Sequence, residues 1–468
     1  MSSLRQSGAC SSDPVRYAIT LGILCVGVIG PLAAQDLERD SLRFVFDTST
    51  RVEAKDNFGL SATNPQGGLI ATQSLGIAVL SDTRNQTFAF GLGALYQLGD
   101  IPGTGIGTGW RDPSVSLAYS RENITSILSI STDFRRQDLG LGRVIPELDD
   151  ETLLPSDLID DLGQLARAIS SVQLELGRGE PTGLTLGANF DLRNYNSTTN
   201  PDLFDRRTYN LTSDLRLDVS PSLQLNLLAS RSRYEADNTE ATTRDTSRLG
   251  VRVNARLDAA NSISAGLTYD HISTDEIVAG MPSDTTIRGT SGTLGFSRDL
   301  PRGGLSVTLA STFSTLERRN SLTFGRRLDL AHARLNLEIG ATGTADGTQV
   351  IGAIDYTLDL ARGSFTAGLE RSARTTSEDE AILQTVTRLS HNTRINTVSG
   401  LEFSANYARI DGLTDSADDV SRGTISASYN YAVTRDWSLN FGVSHTREND
   451  TSSNAIFMSL GRKATVRW

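Results

Sequence analysis

Leu184-Thr185-Leu186-Gly187-Ala188-Asn189-Phe190-Asp191-Leu192-Arg193 carries an apolar side chain at every even position and a polar residue or glycine at every odd one. A period of two sends successive side chains to opposite faces of an extended strand, so this segment has one apolar and one polar face. Leu223, Leu225, Leu227 and Ala229 obey the same rule, as do Val251, Val253, Ala255 and Leu257, and then Ile263, Ala265, Leu267 and Tyr269. Near the end, Trp437, Leu439, Phe441 and Val443 alternate with Ser438, Asn440, Gly442 and Ser444. Many such runs hold about 9–13 residues, close to the 9–11 that cross a bilayer at a tilt and longer than the common soluble strand of about 5–6. After Gln35 no apolar run approaches the ~20 residues of a membrane helix.

A soluble β-sandwich alternates in the same way. Hairpin after hairpin with no second element type fits a membrane barrel better, because lipid offers no partner to free backbone groups and so forces the sheet to close. Short connections include Asp82–Asn85, Val219–Ser222, Leu300–Gly304 and Val433–Asp436. Longer polar ones fall between them, at Asn194–Arg206, Ala236–Thr246, His271–Thr285 and Asp411–Ser421. Short periplasmic turns alternating with long external loops is the rule of bacterial barrels. With Asp329-Leu330-Ala331-His332 taken as a tight turn, the pattern predicts an all-β fold. It is a single large antiparallel up-and-down transmembrane β-barrel of about 22 strands, within a range of 20–24. Residues 136–169 break the rhythm with the acidic run Glu147–Glu151 and a helix-like stretch, Ser156–Leu165. They are expected to form a long external loop insertion that caps the rim; entry into the lumen is the alternative.

Composition agrees with a barrel. The 468 residues are 38% hydrophobic, carry a formal net charge of −11 and include 42 glycines. That is lean for a dense soluble core, but natural where every second strand residue faces water. The acidic balance, with no stripe of Lys and Arg, argues against a nucleic-acid partner.

At the amino terminus Arg5 and Arg16 precede the uncharged run Tyr17–Ala34, which ends in Pro31-Leu32-Ala33-Ala34 before Gln35. This order predicts a cleaved signal peptide over 1–34 and a barrel over 35–468; an uncleaved anchor is the alternative. Cys25 follows Gly22-Ile23-Leu24, without the small residue that normally precedes a lipidated cysteine. Both cysteines, Cys10 and Cys25, lie in the segment to be removed, so neither a disulfide framework nor thiolate chemistry is expected. Trp468, Val466 and Ala464 alternate with Arg467 and Thr465 at the other end. A last strand ending in an aromatic residue is expected to be the assembly signal read by the barrel-assembly machinery. The expected setting is the bacterial outer membrane, with its lipid and lipopolysaccharide as partners.

Two short motifs carry a family resemblance. Thr50-Arg51-Val52-Glu53-Ala54-Lys55-Asp56-Asn57-Phe58-Gly59-Leu60-Ser61 resembles the R-x-E-x-x-D-N-x-x-L-S opening of the porin type 2 family of outer-membrane β-barrels, some of which accompany exopolysaccharide systems. Tyr429-Asn430-Tyr431-Ala432-Val433-Thr434-Arg435-Asp436-Trp437-Ser438-Leu439 resembles the same group, where a tyrosine-rich strand turns into a tryptophan-led one. The resemblance implies a closed barrel and supplies no transported substrate and no active site.

Strand phase names the candidate pore lining. If the leucines face lipid, the interior takes Asp191, Arg193, Asp214, Arg216, Asp218, Arg252, Asn254, Arg256, Arg334, Asn336, Glu338 and Glu370. An Arg or Lys in hydrocarbon costs about 2–4 kcal/mol at the midplane, so the inward phase is the low-energy one. Two readings of these charges stand side by side: rings that set solute preference, and pairs that link neighbouring strands. A passive porin-like conduit for small polar solutes, or a saccharide-related export pore, follows from the set as a whole. A structural or adhesive barrel is the alternative, although its loops lack a cluster of aromatic anchors. Only about ten residues separate the signal from the first strand, too few for a plug of ordinary domain size.

Catalysis has few candidates. His271 lies near Ser273 and Asp275, and His445 near Ser444 and Glu448, while His332 and His391 are expected in periplasmic turns. Adjacency alone does not make a triad. No His-x-x-His or cysteine pair suggests a metal site, and Gly103, Gly105, Gly107 and Gly109 lack the following helix that a phosphate cradle requires. Neither cofactor nor catalytic site is expected.

Overall fold

The computed structural model describes residues 42–60, 64–101, 107–139, 163–344, 347–376, 381–413 and 419–467. The expected signal peptide over 1–34, Trp468 and most of the expected loop insertion over 136–169 lie outside the described residues.

The strands are β1 (Leu42–Lys55), β2 (Gly68–Thr83), β3 (Gln86–Leu98), β4 (Gly109–Glu122), β5 (Ser126–Asp138), β6 (Gln164–Leu176), β7 (Thr182–Asn196) and β8 (Arg206–Ser220). Next come β9 (Leu223–Ala236), β10 (Thr243–Arg256), β11 (Asn261–Val278), β12 (Met281–Leu300), β13 (Gly303–Phe313), β14 (Arg318–Asp329) and β15 (Ala333–Thr344). The chain closes with β16 (Gly347–Leu360), β17 (Gly363–Thr375), β18 (Ala381–Arg394), β19 (Ser399–Gly412), β20 (Val420–Ala432), β21 (Trp437–Glu448) and β22 (Thr451–Arg467). They form one 22-stranded sheet. Each strand pairs antiparallel with its neighbours in sequence, and β1 pairs with β22 from Arg43↔Arg467 to Lys55↔Ala455. That last ladder removes both sheet edges, as a strand surrounded by lipid requires.

The outer surface explains why. Leu211, Leu249, Leu267, Leu294, Leu309, Phe324, Ile339 and Val350 are all large, apolar and exposed, and all sit in the same phase of their strands. A continuous apolar belt of this kind far exceeds what a water-facing surface tolerates, so the belt places the barrel in a membrane. Among the described residues no helix is long and apolar enough to cross a bilayer; the strands cross instead. At ~4.8 Å between strands and a tilt of about 40°, the backbone cylinder is roughly 45 Å across. Side chains on the wall alone leave such a lumen unfilled.

Leu42 and Arg467 lie at one end, here called periplasmic by the barrel rule. Turns such as 221–222, 301–302 and 330–332 lie there too, so the reading of Asp329–His332 as a tight turn holds.

Three expectations are corrected. His271–Thr285 is not a loop: β11 and β12 continue through it as a tall hairpin that turns at 279–280. His391 belongs to β18 rather than to a turn. The ends of the 136–169 segment are strand, since β5 runs to Asp138 and β6 begins at Gln164, which takes Gln164 and Leu165 out of the helix-like stretch. Each error has one cause. A strand end that projects past the acyl chains no longer needs an apolar residue at every second outward position, so alternation lapses while backbone pairing continues.

Candidate functional site: the lumenal wall

The twelve residues named from phase all lie opposite the apolar belt. On β7, Leu186 is exposed outward, which sends Asp191 and Arg193 to the inner face. Leu211 and Val219 do the same for Asp214, Arg216 and Asp218 on β8. Leu249 and Leu257 fix Arg252, Asn254 and Arg256 on β10. Leu337 and Ile339 fix Arg334, Asn336 and Glu338 on β15, and Leu369 fixes Glu370 on β17.

Several are tied together. The Arg167 guanidinium donates to both oxygens of Asp191, at 3.1 and 2.8 Å, and Arg193 reaches the same carboxylate at 3.3 Å. Asn226 donates to Asp214 at 2.7 Å, and Asn254 donates to Asn226 at 3.5 Å. Arg216 donates to the carbonyls of Gly177 and Glu180, both at 2.9 Å, and so braces the periplasmic turn between β6 and β7. Arg334 pairs with Asp329 at 3.3 Å. Arg252, Arg256, Asn336, Glu338 and Glu370 are exposed on the inner wall.

The wall changes character towards the outer end. There Arg193, Arg206 and Arg244 are buried on the inner face, together with Tyr195, Tyr234, Ile272, Ile382 and Ile410. Arg206 donates to the Tyr195 hydroxyl and lies over the rings of Tyr195 and Phe204. Arg244 donates to the Thr274 hydroxyl at 3.2 Å and lies over Tyr234. Leu139, Leu165, Tyr195 and Leu203 form one apolar cluster at this level, and Phe58, Ile70 and Ile101 another.

Asp270 shows how completely the outer wall is covered. It is fully buried, pairs with Arg248 and accepts from the Ser291 hydroxyl at 2.6 Å. The Phe313 amide donates to the same hydroxyl at 3.0 Å. The Phe313 ring lies across Gly289, the register partner of Asp270, where a Cβ would stand 2.4 Å from the ring. Only glycine permits that approach. The periplasmic end of the wall is open by contrast. It holds recesses of about 800 Å³ between Arg327 and Asp359 and about 510 Å³ between Leu360 and Asn430.

The twelve residues named from the sequence share the inward strand phase with Arg206, Arg244, Arg248, Asp270 and both tyrosines, which the sequence reading did not name. That shared phase was the available signal.

The histidines do not assemble a triad. His271 accepts from Arg288 Nε at 3.1 Å on the outer face, and Ser273 is bonded to Thr286. His445 Nδ1 meets Asn454 at 2.8 Å, while Ser444 occupies the opposite face. Among the described residues no group of three or more metal-ligating side chains occurs.

No family model matches the chain, and no curated protein matches it. The porin type 2 resemblance therefore rests on its two motifs alone. Solved structures do match. The ferric-catecholate import receptor Fiu from Escherichia coli K12 superposes with a TM-score of 0.58 at 10% identity, over 91% of this chain and 82% of that one. The siderophore receptor PiuA from Acinetobacter baumannii gives 0.57 at 11% identity, over 90% and 82%. The FrpB iron transporter from Neisseria meningitidis gives 0.58 at 9% identity, over 89% and 82%. At such identities the likeness is one of fold: this chain has the barrel architecture of outer-membrane receptors.

Proposed function

We propose that this chain is an outer-membrane conduit for small polar solutes, with an outer vestibule that favours anions. The observation that supports it is the charge on the inner face of β6 to β12 towards the outer end. Arg167, Arg193, Arg206, Arg244 and Arg248 there face three carboxylates, Asp191, Asp270 and Glu276. In a lumen with low-dielectric walls, a net positive patch raises the local concentration of anions and lowers that of cations. Tyr195 and Tyr234 add aromatic faces beside the guanidinium groups. A solute held there would leave past the exposed, mixed-charge wall of Arg252, Glu338 and Glu370, where attraction is weaker.

The same vestibule supports a second reading, uptake of an anionic iron chelate, the class handled by the ferric-catecholate receptor of similar fold. Both readings share the arginine wall and differ in affinity. A conduit binds its solute weakly, whereas a receptor holds it.

Planar-bilayer recording under a potassium chloride gradient tests the conduit. Stable unit conductance with a reversal potential on the anion side is expected, and Arg248→Gln together with Arg167→Gln should reduce the anion-to-cation permeability ratio severalfold. Silence across voltage, or cation preference in the unaltered protein, would remove the proposal.

A further inference from the structure

We propose that the outward face of β8 to β12, at the upper margin of the apolar belt, binds the phosphate-bearing headgroup of an outer-leaflet lipid. The inference is independent of what passes through the lumen.

Register carries the argument. Leu211, Arg231, Ser247, His271 and Arg288 form one continuous cross-strand row on the outer face. The row beneath it is Ser213, Ala229, Leu249, Tyr269 and Thr290, where Leu249 and Tyr269 are exposed at the edge of the belt. The row above is Tyr209, Arg233, Asp245, Ser273 and Thr286. Tyr209 and Tyr269 are aromatic residues where a bilayer interface is expected, which fixes the level. Across β9 to β12 the outward face thus changes from uncharged to cationic between adjacent rows.

Charge is also layered. The first charged row holds Arg231, Arg288 and the His271 ring, and no carboxylate. Asp245 stands one row higher, 3.6 Å from Arg231 and 3.8 Å from Arg233. Glu235, Asp275 and Asp284 lie a further row out, and Arg207 shares that level. Arg231 keeps two-thirds of its side chain exposed despite its pairing. Guanidinium groups directly above acyl chains, with acids displaced outward, suit a headgroup phosphate anchored from below; a soluble anion approaching from the medium meets the carboxylates first. Arg is also the side chain best matched to phosphate geometry.

The test uses refolded full-length protein in neutral detergent, with lipid A, its fully dephosphorylated form and inorganic phosphate as probes. Lipid A is expected to bind at least tenfold more tightly than the dephosphorylated lipid, with inorganic phosphate competing poorly. Arg231→Gln with Arg288→Gln should lose about tenfold in lipid A affinity while retaining heat-modifiable migration. Asp245→Asn should tighten binding by removing the competing carboxylate. Equal binding of both lipids, equal binding by the arginine variant, or weaker binding by Asp245→Asn would each overturn the site. Full competition by inorganic phosphate would overturn the lipid as its occupant.

Discussion

The outer and periplasmic halves of one wall obey the same alternation and end in opposite states. On the inner face of the outer half, Ile272, Ile382, Ile410, Arg206 and Asp270 are buried. On the inner face of the periplasmic half, Arg252, Arg256, Arg334, Asn336 and Glu338 remain exposed. Strand phase assigns a face, and the chain between the strands decides whether that face stays wet. Tall hairpins and inward-turned ends such as Phe313 crowd the outer end; tight turns such as 221–222 leave the other end open. Among the described residues the inner wall is thus packed over at its outer end and bare at its periplasmic end.

Paired substitutions sharpen that contrast. Ile410→Asp places a carboxylate where the wall is fully buried, and an uncompensated buried charge costs roughly 3–5 kcal/mol. The matching change in the open half, Asn336→Asp, should stay within about 0.5 kcal/mol. Urea unfolding in detergent micelles measures both, and equal losses would erase the difference between the halves. A smaller effect is expected at ion pairs. Asp270→Ala removes the partner of Arg248 and the acceptor for Ser291, at a cost of about 1–2 kcal/mol, because half-exposed Arg248 regains water. Asp218→Ala breaks only a 3.8 Å contact with Arg216 near the open end and should change stability by less than about 0.5 kcal/mol.

Much of this molecule is legible before folding. Runs such as Leu184–Leu192 announce a strand locally, because in a bilayer one face must be apolar at every second residue. The number of strands and the inward phase of Asp214 or Glu338 follow from that constraint. What stays hidden lies where the constraint lapses. Between His271 and Val278 the alternation lapses, with Ile272 on the inner face and Ile277 on the outer face among polar residues, and strand looks like loop. The burial of Asp270 is also invisible locally, since it depends on a ring that arrives on β13 and on the missing Cβ of Gly289. The lipid-facing row containing Arg231 and Arg288 becomes visible only once register aligns separate strands. A belt is a property of each strand alone, whereas a site belongs to several strands at once.

Cysteine accessibility tests the central claim most directly, since no cysteine follows Cys25 in the natural sequence. With Cys10 and Cys25 replaced by serine, single thiols are introduced as Asn336→Cys, Arg252→Cys, Ile410→Cys, Ile272→Cys and Leu249→Cys, and each protein is reconstituted into liposomes. A polar, bulky maleimide should modify the first two at least tenfold faster than the next two, and should leave the belt position 249 unlabelled. Equal rates at 336 and 410 would contradict the covered outer end of the inner wall. Rapid labelling at 249 would contradict the barrel's placement in lipid altogether.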